Sequence, residues 1–219
     1  MSGGPPVQLN DLARPGWIEW SPDGSQIVLS TVVNTDGASR FDIYLFDLES
    51  RVLSNLTKDL GTAQSEFFSP RWSPDGEQIA FHSLNSEGFN IMVIRPDGDG
   101  FRMVTDWTFR EGGFSPQSVR PPQWSPDSER LLFESYDELD PSLGQDIYVV
   151  NIDGSERNNL SRSPGSEGSP VWSSDGKRIA FVSSRDGNAE IYVMDSDGGN
   201  PTNVSNMPVT DELLPFWRP

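Results

Sequence analysis

The 219-residue chain has no cysteine, a single histidine and no apolar run near the ~20 residues that a membrane-spanning helix needs. Without Cys there are no disulfides, thiolate metal sites or Cys nucleophiles; the compartment stays open, because proteins lacking disulfides occur on both sides of a membrane. Basic residues are also scarce. Sixteen Lys and Arg stand against 33 Asp and Glu, a formal charge of −17, and nowhere do the basic residues cluster. A phosphate backbone would be repelled, so nucleic-acid binding is set aside. Residues 1–10 lack the charged and hydrophobic segments of a signal peptide.

Turn formers and bulky apolar residues, by contrast, are plentiful. Gly and Pro make up about 17% of the chain against a usual ~12%, which disfavours long helices. Aromatic residues reach 11%, with seven Trp, enough apolar volume for a folded core despite the acidity. The expectation is a globular, all-β protein.

One motif recurs: Trp20-Ser21-Pro22-Asp23-Gly24, Trp72-Ser73-Pro74-Asp75-Gly76, Trp124-Ser125-Pro126-Asp127-Ser128 and Trp172-Ser173-Ser174-Asp175-Gly176, with Trp217-Arg218-Pro219 opening a fifth copy. The Trp spacings are 52, 52, 48 and 45 residues. Each copy continues with two apolar runs, such as Ile79-Ala80-Phe81 and Ile91-Met92-Val93, and ends in a short segment such as Asn159-Leu160-Ser161. This predicts four strands per repeat, a to d. Unbroken apolar runs bounded by turn residues fit strands b and c, buried on both faces in the middle of a sheet. Pro70, Pro122, Pro170 and Pro215 each precede a Trp by two residues, which assigns strand a to a sheet edge. Ser-Pro-Asp-Gly supplies a tight a–b turn.

Four-stranded antiparallel units at this period match the blades of a β-propeller. The recurring Trp-Ser-Pro-Asp-Gly, Ile-Ala-Phe, Ile-Tyr-Val-Met and Asp-Gly-Gly series resembles the WD40-like (PD40) repeats of TolB-type β-propellers, over residues 1–219. The resemblance implies a protein-binding module in an extracytoplasmic, bacterial setting, such as the periplasm. The reading preferred is this non-enzymatic module; the alternatives are the regulatory propeller of a prolyl oligopeptidase-like peptidase, which the resemblance also covers, and a glycan or cell-wall binding module. Fold does not decide between them. No cofactor and no metal are expected.

The expected architecture is one domain with blade repeats at about 16–57, 67–105, 119–161 and 169–205, and extra strands at 6–10 (d) and 213–217 (a) belonging to a fifth blade. Four complete blades plus two strands leave three arrangements open: a closed four-bladed ring, an irregular five-position ring, or part of a longer propeller, the last being preferred. Unpaired strands at the ends would favour self-association.

Loop lengths divide the two ends of the blades. Trp to strand b is 7 residues and strand c to strand d is 12 in every repeat, whereas b to c varies as 17, 13, 17, 13 and d to the next Trp as 16, 20, 12, 13. In an antiparallel sheet the a–b and c–d turns share one face, and the b–c and d–a loops the other. The variable face is therefore the candidate binding surface, with neutral drift of surface loops as the alternative. Two of its loops carry candidate partner-binding residues: Trp107, Phe109, Arg110 and Phe114 in the longest d–a loop, and Asp137, Glu138 and Asp140 in a b–c insertion. Aromatic and Arg side chains suit a partner surface, and three carboxylates suit a basic partner or a cation. The competing readings are rings folded back over the channel or the next blade, and a merely solvated acidic loop.

Other apparent sites are products of the repeat. Asn55-Leu56-Thr57, Asn159-Leu160-Ser161 and Asn203-Val204-Ser205 match the glycosylation sequon but share one strand position. Asp97-Gly98-Asp99-Gly100 and Asp195-Ser196-Asp197-Gly198-Gly199 begin like calcium loops, yet the twelfth positions are Thr108 and Asn206, so they read as c–d turns. His82 falls where repeat 4 has Val182, and a structural role is expected. No catalytic constellation is legible.

Overall fold

A computed structural model describes residues 15–35, 38–62, 64–86, 88–106, 120–136, 144–206 and 215. Among the described residues sixteen strands form four antiparallel sheets, each in simple sequence order. Blade 1 contains β1 (Pro15–Trp20), β2 (Gln26–Thr35), β3 (Ala38–Asp47) and β4 (Leu53–Asn55). Blade 2 contains β5 (Glu66–Trp72), β6 (Ile79–Asn85), β7 (Gly88–Ile94) and β8 (Arg102–Met103). Blade 3 contains β9 (Gln123–Trp124), β10 (Arg130–Tyr136), β11 (Gln145–Asn151) and β12 (Asn158–Asn159). Blade 4 contains β13 (Glu167–Trp172), β14 (Arg178–Ser183), β15 (Glu190–Asp195) and β16 (Thr202–Asn203). The all-β class, the four-stranded blades and the edge position of strand a all agree with the sequence. The expected strands at 6–10 and 213–217 lie, apart from Pro215, outside the described residues.

The Ser-Pro-Asp-Gly turn closes through the same bonds four times. Ser21, Ser73, Ser125 and Ser173 each donate a hydroxyl hydrogen to the Asp two residues on, at 2.7, 2.5, 2.5 and 2.7 Å. The same hydroxyl oxygens accept the N–H of Gln26, Gln78, Arg130 and Arg178, all at 2.9 Å. The Ser and Asp therefore satisfy backbone donors that a tight turn would otherwise leave unpaired. These hydroxyl bonds hold the Asp23 and Asp175 carboxyls below the ordinary range. Blade 3 keeps the geometry without its glycine. Ser128 takes φ +62°, beside +75° at Gly76, and its Oγ accepts the Asp75 N–H at 3.2 Å, joining two blades.

A second repeated device ties strand c to the hydroxyl residue just beyond strand d. The N–H groups of Ile43, Ile91, Ile147 and Ile191 donate to the hydroxyls of Thr57, Thr105, Ser161 and Ser205 at 3.0, 2.8, 2.9 and 2.9 Å. The Asn55 and Asn159 amides donate to the buried carboxylates of Asp42 and Asp146 at 2.8 and 2.7 Å. The sequon-like triplets are thus parts of the sheet. In the c–d turns, Asp97, Asp153 and Asp197 each accept an N–H two residues on at 2.9 Å, which accounts for their calcium-loop appearance.

The core lies between blades. Val28, Ile43 and Leu45 of blade 1 pack on Phe67, Trp72, Ile79 and Phe81 of blade 2. Ala80, Ile91 and Val93 of blade 2 pack on Trp124, Leu131, Phe133 and Tyr148 of blade 3. Leu132, Ile147 and Val149 of blade 3 pack on Trp172, Ile179, Phe181 and Tyr192 of blade 4. Strands b and c thus send alternate side chains to opposite neighbours, as a period of two requires. The c–d turns dock closely too. A Cβ on Gly154 or Gly198, both at positive φ, would lie 3.0 or 2.7 Å from the carbonyl oxygen of Val104 or Leu160 in the preceding blade, so a larger residue would push the blades apart. Among the described residues no apolar cluster joins blade 4 to blade 1. Accordingly Trp72, Trp124 and Trp172 are 5, 7 and 8% exposed, whereas Trp20, at the same repeat position, is 56% exposed.

His82 is buried in β6, its ring 4.7 Å from that of Phe89 and 5.9 Å from that of Phe68. Its Nδ1 meets no partner among the described residues. Burial lowers its pKa to about 3, so the ring is neutral and serves as packing.

Two measurements test this core. Trp72→Ala, Trp124→Ala and Trp172→Ala should each cost about 3–5 kcal/mol in denaturant melts, and Trp20→Ala much less; equal losses at all four would contradict the exposed setting of Trp20. Because the folded state resists protonating His82, its contribution is fully present above about pH 6.5 and declines as pH falls towards 3, by roughly 1.4 kcal/mol per pH unit. His82→Phe should flatten the fall in melting temperature between about pH 6.5 and 4.5, above the range where most carboxylates titrate.

Candidate interaction face and central channel

The two ends of the blades differ in how they are held. At the turn end, the c–d turn bonds to the a–b turn of its own blade: Leu48 to the Ser25 carbonyl at 3.1 Å, Ile152 to Glu129 at 3.0 Å and Ser196 to Lys177 at 3.0 Å. In blade 2 Pro96 stands at the donor position and has no N–H to give, so blades 1, 3 and 4 share this bond while the Ser–Asp turn itself repeats in all four.

The opposite end carries the b–c and d–a connections. In blade 1 the four residues by which b–c exceeds that of blade 2 extend the strands. β2 and β3 pair from Gln26–Asp47 to Thr35–Ala38, so what the spacing suggested as a long loop is a long hairpin. Regular pairing satisfies the added backbone groups, which a loop would leave to water. Arg40 anchors this hairpin, lying 3.1 Å from Asp42 and donating to the carbonyls of Lys58 and Thr62 at 3.1 and 3.4 Å. In blade 4, Arg185 donates to buried Glu167 at 2.8 Å and to the Ser183 hydroxyl at 2.8 Å, with its guanidinium 4.6 Å from the Tyr192 ring centre. The Tyr192 hydroxyl donates to Asp186. Arg40 and Arg185 are therefore engaged internally.

Every residue singled out for partner binding lies outside the described residues: Trp107, Phe109, Arg110 and Phe114, and Asp137, Glu138 and Asp140. The flanking strands are described. β8 leads into 107–119, which precedes β9, and 137–143 joins β10 to β11. Asp106, at the entry to the longer connection, lies 3.6 Å from Arg157.

The strand-a edges of all four blades converge on one cavity of about 220 Å3, lined by Trp17, Arg71, Gln123 and Val171 with Glu134 and Pro215. Two carboxylates near it reach from one blade to the backbone of the next. Glu19 accepts the Trp72 N–H at 2.8 Å and pairs with Arg71 at 2.6 Å. Glu134 accepts the Ser169 N–H at 2.5 Å, with Arg120 3.8 Å away; burial raises its pKa. Ser69 and Ser169, at φ +53° and +54°, lie in the irregularities where strand a bends towards this channel. Among the described residues no group of three His, Asp or Glu is arranged to hold a metal ion. The channel offers single carboxylates already committed to neighbouring N–H and guanidinium groups, an arrangement suited to holding blades together.

The sheets, the turn series and the channel together define a family, and the family model described as the TolB beta propeller domain (PD40) matches residues 64–219. The chain belongs to the TolB beta propeller family. An uncharacterized protein of Agrobacterium fabrum is 29% identical over 83% of this chain, and a TolB homolog of Chlorobium luteolum is 32% identical over 80% of it. The chain spans 59% and 35% of the lengths of those two relatives. A puromycin-hydrolyzing peptidase of Mycobacterium tuberculosis shares the fold, with a TM-score of 0.66 and 20% identity over 90% of this chain and 32% of the peptidase. At that identity the likeness speaks for architecture alone.

In this TolB-like propeller the carboxylate-to-backbone staples escaped sequence reasoning. Glu19 stands one residue before a repeat Trp, where later repeats have Arg71, Gln123 and Val171, so no recurring acidic position signalled it. Glu19→Ala strands a guanidinium and a strand-a N–H at once, and should cost about 1–3 kcal/mol. Amide exchange at Trp72 should quicken more than at Trp172, whose strand keeps its own staple.

Proposed function

We propose that this TolB-like propeller is a non-enzymatic interaction module that binds a protein partner through the face bearing its b–c and d–a connections. The observation carrying the proposal is the asymmetry of the two ends. One end repeats the Ser–Asp turn in every blade, while the other presents connections of differing length. Binding residues concentrate on loops held by a rigid scaffold. The residues assigned to contact are Trp107, Phe109, Arg110 and Phe114, with Asp137, Glu138 and Asp140 meeting basic groups. A few aromatic and Arg side chains usually dominate an interface, and the carboxylates add steering towards a basic surface.

The role requires no cofactor. The channel carboxylates are occupied by backbone donors and by Arg71 or Arg120, and His82 is buried as packing, which supports binding over catalysis. An extracytoplasmic setting accompanies the family resemblance. Self-association through unpaired strands is a second, separate use, supported by Ile18 and Trp20 of β1, both more than half exposed.

The test pairs a melt with a titration. Replacing Trp107, Phe109 and Arg110 together by Ala should leave the melting temperature within a few degrees and weaken binding to the partner recovered by pull-down. Asp75→Ala should do the reverse, lowering the melt while leaving affinity per folded molecule nearly unchanged. A triple variant that binds like the wild type but melts much earlier would assign those rings to packing and overturn the proposed face.

A further inference from the structure

The boundaries between blades are built from equivalent parts, so any difference between two of them is informative. Between blades 2 and 3, the strand-d residue Arg102 spans the groove at the outer rim. It donates to the Ile152 carbonyl at 3.2 Å and to the Gln78 side chain at 2.8 Å. Strand register identifies the equivalents one blade on. Arg102 pairs with Val93 as Asn158 pairs with Val149. Gln78 and Arg130 each donate an N–H to the turn serine, and Ile152 and Ser196 each bond back to the a–b turn.

Between blades 3 and 4 the spanning side chain is absent. Asn158 is too short, and its amide donates to the Glu156 carbonyl of its own turn at 3.0 Å. The positive charge has moved to the floor, where the Arg130 guanidinium lies 4.8 Å from the centre of the Trp172 ring. What remains is an open groove of about 590 Å3, within the ~300–1,000 Å3 typical of small-ligand sites.

The chemistry of the lining is specific. The Arg130 guanidinium lies over the Trp172 ring, a contact that engages its face and not its N–H donors, and a guanidinium held in this way can receive a carboxylate through those donors. Among the described residues no carboxylate lies within ion-pair distance of Arg130 or of Arg162, which lines the same groove. On a chain of net charge −17, one cavity thus gathers two guanidinium groups, Arg130 with only the more distant charge of Asp127 acting on it and neither closed off by a direct ion pair. Glu156 and Asp197 stand at the same groove as acceptors, which suit hydroxyl donors and disfavour a ligand of high negative charge. We propose that the groove between blades 3 and 4 is a binding site for a small hydroxylated carboxylate of the sugar-acid class, with Arg130 and Arg162 receiving the carboxylate and Glu156 and Asp197 the hydroxyls. The site is separate from the loop face proposed above, and its failure would leave that proposal intact.

Calorimetric titration of the whole chain with glucuronate, and with glucose as the same ring lacking the carboxylate, tests this directly. Glucuronate should bind saturably and glucose at least about ten-fold more weakly, the worth of a charge-assisted bond. Two variants copy the neighbouring boundary: Asn158→Arg restores the spanning guanidinium, and Arg130→Gln restores the side chain found at Gln78. Each should weaken glucuronate at least about ten-fold while the melting temperature stays within a few degrees. No saturable glucuronate binding, equal binding of glucose, or wild-type affinity in the folded Asn158→Arg or Arg130→Gln variant would overturn the assignment.

Discussion

A four-stranded sheet that is apolar on both faces is stable only between two neighbours, and this requirement organises the molecule. Val28 and Leu45 look forward to blade 2, Phe81 and Ile79 look back to blade 1, and the alternation passes along to Met194. A blade cannot be removed without exposing two such faces. The repeat Trp residues show the consequence, since Trp72, Trp124 and Trp172, which pack against a neighbouring blade, are buried while Trp20, in none of the apolar clusters among the described residues, is exposed. Stability in such an array is a sum over boundaries as much as over blades.

Polar groups then fix the geometry that apolar packing leaves loose. Hydrophobic contact is non-directional, so on its own it would allow neighbouring sheets to slide. The Ser–Asp turn and the hydroxyl that caps each strand-c isoleucine fix the strands within a blade, and the close approach of Gly154 and Gly198 to a carbonyl of the preceding blade sets the spacing of blades 3 and 4. Glu19 and Glu134 perform the same office at the channel, each by bonding to the backbone of the next strand a. Bonds to main-chain N–H groups constrain position without depending on the neighbour's side chain, so the strand-a sequences are free to differ.

A scaffold of this kind leaves variation only where no repeated bond is required. The turn end repeats the Ser–Asp turn in each blade, whereas the other end admits a hairpin of two ten-residue strands in blade 1 and a shorter connection pinned by Arg185 in blade 4. The rim between blades varies by single substitutions, as Arg102 and Asn158 illustrate: the same backbone carries a filled groove at one boundary and an open one at the next. Membership of the TolB beta propeller family is compatible with partners of several kinds for this reason, because recognition is carried by connections and rims that the fold does not constrain.

The blades, their strand order and the edge position of strand a were legible in the sequence, because each depends on local chemistry: Pro denies a donor, Gly or Ser128 accepts a positive φ, and an apolar run between turns must be buried. The turn identity of the calcium-like segments and the packing role of His82 were legible for the same reason, through alignment of one repeat with another. Candidate loops were named from length and composition alone, and Trp107 and Asp137 with their neighbours lie outside the described residues. Other features were settled only when distant segments met. The extra residues of blade 1 joined a hairpin because pairing was available on both sides. Glu19 became a staple because Trp72, 53 positions away, presents an N–H to it. Arg130 became the floor of a groove because Trp172 arrives from the next blade and Asn158 does not fill the space. Sequence periodicity reports what each strand needs from its own blade; what one blade needs from the next is a property of contact between segments about fifty residues apart, and only the tertiary structure brings them together.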